Sequence, residues 1–151
     1  MKLDADSLSR KAFMIHEQGY TCSETTLLAF ARELGIDDKA IPKVATPFGG
    51  GIGRLCEECG VLTGGLMALG LKYGRTDPKD EAALQKSYAM ARAYYEQFRE
   101  KFGSTRCLQI QGRNLLDPEQ FAKHQAERYI CDRVIREGAR ILANILNEHQ
   151  P

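Results

Sequence analysis

Apolar positions recur every three to four residues along most of the chain, the period of helices that bury one face. In DSLSRKAFMIHEQGY, Leu8, Ala12 and Ile15 form a stripe, and Gly19 supplies a stop. Cys22 follows at once and opens CSETTLLAFARELG, where Cys22, Ala29, Phe30 and Leu34 share a face and Gly35 ends the helix. DDKAIPKVA reads as a short helical turn or a loop. The glycines of TPFGGGIG leave no room for regular structure. Beyond them, RLCEECGVLTGGLMALGLKYG carries Leu55, Cys59, Leu62, Leu66 and Leu69 at helical spacing, which predicts a helix holding both Cys56 and Cys59. Gly60, Gly64, Gly65 and Gly70 each cost such a helix roughly 1 kcal/mol against Ala. A helix that keeps them gains close approach by another backbone or a ligand.

Two later helices have marked starts. Asp77 at N-cap and Pro78 at N1 predict a helix running to about Phe102. Asp117, Pro118 and Gln120 repeat the device as a near capping box. They lead a long terminal helix with Cys131, Val134, Ile135, Leu142 and Ile145 on its apolar side. Between the two, FGSTRCLQIQGRNL forms a turn and a short helix carrying Cys107. No alternating run is long enough for a sheet, and no repeat or linker interrupts the chain. The expected fold is all-α: residues 1–151 as a single-domain bundle of about five or six helices with a glycine-rich loop.

Composition narrows the partners. A net charge of +1 gives no field to gather nucleic acid or anionic membrane, so neither is expected. No segment approaches the roughly 20 apolar residues of a transmembrane helix. The polar, acid-bearing start MKLDADSLSRKAF is neither a signal nor a transit peptide, and a cytoplasmic protein is expected. There the five cysteines, Cys22, Cys56, Cys59, Cys107 and Cys131, do not serve as structural disulfides. Their odd number also argues against a fully paired framework. They are metal or cluster ligands, a reactive thiol pair, or small buried hydrophobes.

The glycine run Gly49-Gly50-Gly51-Ile52-Gly53 before a helix start suggests phosphate binding. It contains no G-x-G-x-x-G, no G-K-[ST] follows it and no strand precedes it. A tight turn with positive φ is the simpler reading. Cys56-Glu57-Glu58-Cys59 would place two thiols on one helical face. The intervening glutamates favour the neutral thiols, and neither a βαβ context nor a second C-x-x-C is present. The dispersed cysteines are more informative: Cys22, Cys59, Cys107 and Cys131 each sit at a helix start or on an apolar stripe, where four helices of a bundle can converge. Thiolates in a dry pocket must bind metal or pair as disulfides, because unpaired buried charge is too costly. Soft thiolates select zinc, Cu(I) or iron–sulfur clusters. His16, His124 and His149 are isolated and read as surface or capping residues, and Tyr94 and Tyr95 as core and interface.

With GYTCSETTLLAF, FGGGIGRLCEECGVLTGGLMALGLKYG, FREKFGSTRCLQIQG and the lone cysteine of ERYICDRVIREGARIL, the chain resembles the redox-active proteins named for a C…GCAxxG…C…C pattern. These are small helical proteins found alone or as modules. The resemblance implies that Cys22, Cys59, Cys107 and Cys131 come together as a metal site, or as redox thiols if no metal binds. The family in turn resembles a domain of the split-Soret cytochromes, which implies an iron–sulfur cluster; the alternatives are a metal-free thiol–disulfide redox protein or a zinc-stabilised interaction module. Backbone from Gly49, Gly50 and Gly51 would then approach the cofactor, and the chain would exchange electrons with a redox partner; separately, glycine-rich helical faces that pack closely make a homodimer one option. No C-x-x-C-H is present, so covalent heme is not expected. The literal GCAxxG is replaced by Glu58-Cys59-Gly60-Val61-Leu62-Thr63-Gly64, and Cys56 is extra to the four-cysteine pattern, free to act as a surrogate ligand, a disulfide partner or neither.

Overall fold

The computed structural model describes residues 2–149, so Met1, Gln150 and Pro151 of the expected 1–151 unit lie outside the described residues. Helix α1 (Ala5–Glu17) starts where Asp4 accepts a hydrogen bond from the Ser7 N–H, and it buries Leu8, Ala12 and Ile15. Helix α2 (Cys22–Glu33) starts at Thr21, which shares a capping box with Glu24. A short turn α3 (Ala40–Lys43) and a 3₁₀ turn at Thr46–Phe48 lead to α4 (Gly49–Ile52). Helices α5 (Gly60–Tyr73) and α6 (Glu81–Phe102) follow, then α7 (Cys107–Gln111), α8 (Pro118–Ala126) and α9 (Tyr129–Glu148).

The all-α class holds: among the described residues there is no strand, only one isolated antiparallel bridge between Glu58 and Arg106. The helix count of five or six does not. Five long helices, α1, α2, α5, α6 and α9, form the bundle, and the shorter segments add to them. In the bundle α2 lies along α5, α1 lies along α9, and α6 covers α5 and α9. Phe30, Leu62, Tyr94, Phe98, Ile135 and Leu146 are sealed from solvent at its centre. Tyr94 joins three helices, its hydroxyl donating to the Val61 (3.3 Å) and Gly138 (3.5 Å) carbonyls.

Three boundaries differ from the pattern. Helix α6 is capped by Asp80, which accepts from the Ala83 N–H at 3.0 Å. Asp77 instead closes a turn of its own, accepting from the Lys79 N–H at 2.9 Å. The expected terminal helix is two, because Glu127 leaves the helical region (φ −122°, ψ 63°). Finally, α5 begins at Gly60 with Cys59 as its N-cap, so Cys56 lies outside it and Leu55 is 59 % exposed. The two thiols of the C-x-x-C therefore do not share a helical face.

The glycines of α5 explain its closeness to α2. A Cβ on Gly64 would overlap the Ser23 carbonyl oxygen, and one on Gly60 would overlap Cys22 Sγ. Any larger residue there would push α2 off α5. Gly70 has open space around it and takes no part in this contact.

Candidate functional site

The expected structureless glycine loop is instead ordered and left-handed. Gly50, Gly51, Ile52, Gly53 and Arg54 all have φ between 55° and 69°, and Cys56 has φ 60°. A left-handed turn costs about 1–2 kcal/mol at each residue with a Cβ, and glycine removes that cost at three of these five consecutive positions. The turn folds back on itself: the Cys56 N–H donates to Gly50 O (3.1 Å) and the Glu57 N–H to Gly51 O (2.9 Å). Arg54 stacks over the Phe121 ring at 3.8 Å, which ties the turn to α8.

From this turn the chain runs antiparallel to residues 105–108. The Cys59 N–H donates to Thr105 O (2.8 Å), the Cys107 N–H to Glu57 O (2.7 Å), and the Leu108 N–H to Cys56 O (3.1 Å). These bonds place Cys59 at the start of α5 and Cys107 at the start of α7, side by side. Cys22 opens α2 and Cys131 stands in the first turn of α9.

All four, Cys22, Cys59, Cys107 and Cys131, line one cavity of about 780 Å³. That is in the range of small-molecule and cofactor sites. Cys56 does not line it, and packs instead with Cys107, Leu115 and Phe121 in a small separate cluster. Of the glycines expected near a cofactor, Gly49 and Gly50 line the cavity. Gly51 does not; a Cβ there would meet Cys107 Cβ at 2.7 Å and Cys56 Cα at 2.8 Å.

Two histidines expected at the surface are part of the cavity wall. His16 is 7 % exposed, with Nδ1 2.9 Å from Asp132 Oδ1 and Nε2 2.8 Å from Arg128 Nη2. Burial and the Arg128 guanidinium hold its pKa down, so the ring is neutral and accepts from Arg128. His124 lies with Nε2 3.7 Å from Cys131 Sγ, and burial together with Arg113 and Arg128 lowers its pKa as well. The signal available in the sequence was spacing: His124 and Cys131 are seven residues apart, and Arg128 precedes Cys131 by three. His16 gave none, because α1 and α9 meet only in the fold.

The electrostatics of the thiols follow from burial. It pushes Cys22 up, against backbone N–H groups of Gly50, Ser23 and Gly60 that pull it down. Cys59 is held well above the usual thiol range by burial and then by Cys22. Burial and the neighbouring Cys56 and Cys22 raise Cys107 to about 12. Burial and Cys22 raise Cys131 to about 12, with Arg128 opposing. Without a cation the cavity therefore holds neutral thiols. Removing all four protons would put several like charges side by side in a largely buried site, a cost that a bound cation offsets. Among the described residues no carboxylate lines the cavity, and its metal-ligating side chains are cysteine and histidine, a set suited to zinc, copper or iron. Among the described residues, no three cysteine, histidine or carboxylate side chains close on one point as a single ion would require.

No helix among the described residues is long and apolar enough to cross a membrane. No curated protein and no solved structure matches the chain. One family model does, that of "Putative redox-active protein (C_GCAxxG_C_C)"; it matches residues 20–145, a span that opens two residues before Cys22 and holds every cysteine of the cavity, and the chain belongs to that family.

Proposed function

We propose that the chain is an electron-transfer module in which Cys22, Cys59, Cys107 and Cys131 hold an iron–sulfur cluster. The observation that carries this reading is the arrival of four sequence-distant cysteines at one cavity free of carboxylates. One feature favours a four-iron cluster over a single zinc ion. The sulfurs share a cavity without three of them closing on one point, whereas zinc needs four donors at about 2.0–2.3 Å. In a four-iron cluster each thiolate binds its own iron, and the donors stand further apart. When bound, the cluster would supply one-electron chemistry.

The chain's own residues hold and tune the site. The N–H groups of Gly50, Ser23 and Gly60 point at the Cys22 sulfur and stabilise negative charge there. Cys22 and Cys131 lie in the first turns, and Cys59 at the N-cap, of helices of 12 or more residues, whose N-termini favour anions. His16 and Arg128 line the wall and keep it polar without adding negative charge. The reading takes residues 1–151 as one such module, working in a reducing, cytoplasmic setting and passing electrons to a partner protein or a second copy.

The test is anaerobic reconstitution with ferrous iron and sulfide, followed by iron and sulfide analysis and a visible spectrum. A brown protein with iron and acid-labile sulfide in cluster proportion is expected. A colourless, iron-free chain, or one that takes up zinc alone, would overturn the reading.

A further inference from the structure

Cys56 stands outside the four-cysteine pattern and outside the cavity, yet it sits directly behind Cys107. The antiparallel bonds from Cys107 N–H to Glu57 O (2.7 Å) and from Leu108 N–H to Cys56 O (3.1 Å) lock the two backbones together. Cys107 Cβ and Cys56 Cα lie 2.7 Å and 2.8 Å from one point, the Cβ position of Gly51. With one further carbon–carbon bond to Cys107 Cα, the two Cα atoms are at most about 7 Å apart, a bound that reaches the roughly 4.4–6.8 Å over which disulfides join residues. The Gln111 amide Nε2 lies 3.8 Å from Cys56 Sγ and 3.7 Å from Cys107 Sγ, so both side chains turn toward the same donor. Cys107 and Leu115 border the cavity, and Cys56 is shielded behind them.

We infer that Cys56 and Cys107 form an intramolecular disulfide when the cavity holds no metal, which withdraws Cys107 from the other three cysteines. The oxidant is a small-molecule disulfide of the glutathione class. Cys107 gives up its thiol proton as its Sγ attacks one of the small disulfide's sulfurs, the small-molecule S–S bond breaks, and one small thiolate leaves and takes up a proton. Cys56 thiolate then attacks Cys107 Sγ, the mixed disulfide breaks, and the second small thiolate leaves likewise. The protein loses two thiol hydrogens, and one small disulfide becomes two thiols. Only the consequence for metal binding rests on the cluster reading; the bond itself does not.

The experiment uses the full chain, reduced and stripped of metal under anaerobic chelation, then equilibrated in glutathione buffers of stepped ratio. Free thiols are alkylated and the peptides mapped by mass. The five free thiols should fall to three, with Cys56 and Cys107 peptides linked. In Cys56→Ser the same buffers should leave Cys107 as a mixed disulfide with glutathione and no internal link. Pairing of Cys107 with Cys22, Cys59 or Cys131, or no Cys56–Cys107 link at any ratio, would overturn the inference. The wild-type map alone decides this if the variant does not fold. A chain that takes up no iron but forms the link refutes the cluster and keeps the disulfide; one that takes up iron but never forms the link does the reverse.

Discussion

In the bundle, Leu8, Phe30, Leu62, Phe98, Ile135 and Leu146 are closed off from solvent, and each helix is placed by the apolar face it buries. At the loop end, the separate cluster holds only Cys56, Cys107 and Leu115 with Phe121 against it, and the chain is placed by backbone hydrogen bonds through a left-handed turn. The cavity lies between the two. Cys22, Cys59 and Cys131 ride on long helices or their caps, whereas Cys107 rides on the loop end. The site thus has one wall backed by a large core and one backed by few apolar contacts, and regions of the second kind open at lower cost. Cys107 is the cavity cysteine best placed to move.

The largest effect should come from the core. Phe30→Ala should lower stability by about 3–5 kcal/mol in urea denaturation, with all parts of the chain lost together. Leu115→Ala, at the loop end, should cost about 2 kcal/mol, the low end for a buried leucine. Equal losses would erase the contrast between the two regions.

Next come the glycines. Gly64→Val puts a side chain into the Ser23 carbonyl and should cost about 3 kcal/mol by forcing α2 from α5. Because that contact carries Cys22 and Cys59, iron uptake should fall with it. Gly51→Ala has a strained φ of 66° and meets Cys107 Cβ and Cys56 Cα. It should cost about 1–2 kcal/mol and abolish the Cys56–Cys107 link while leaving the helical circular dichroism of the bundle intact. Loss of helix equal to that in Gly64→Val would show that the loop end is not separable.

A separate test concerns pH. In the metal-free chain Cys107 and Cys131 stay protonated to about 12, whereas unfolded thiols ionise near about 8.5. Above that value the folded state binds more protons than the unfolded one, so stability falls as pH rises. The urea midpoint of the metal-free protein should be insensitive to these thiols below about pH 8 and should decline between about pH 9 and 12. A midpoint that rises over that interval would contradict the burial of the thiols.

The long helices could be read from the chain because their signal is local: Leu8, Ala12 and Ile15, or Val134, Ile135, Leu142 and Ile145, repeat at the period of the surface they bury. The four cavity cysteines were likewise placed by position, each at a helix start or on a stripe. What escaped depends on contacts across the chain. Leu55 fits the helical period but is exposed, since the left-handed turn delays the helix to Gly60. Glu127 looks helical by sequence and yet breaks α8 from α9. His16 gained its role only when α1 met α9 and brought Asp132 and Arg128 to it. Cys56 and Cys59 stand three residues apart in sequence, and the turn sends Cys59 to the cavity and Cys56 behind Cys107.

The division of the five cysteines is tested most directly by the iron bound after anaerobic reconstitution of single alanine variants of each, with folding checked by circular dichroism. Cys22→Ala, Cys59→Ala, Cys107→Ala and Cys131→Ala should each lose most of the iron and the visible absorption, while Cys56→Ala should keep them. Loss of iron in Cys56→Ala equal to that in Cys59→Ala, or retention in any two of the other four, would contradict the four-cysteine cavity as the cofactor site.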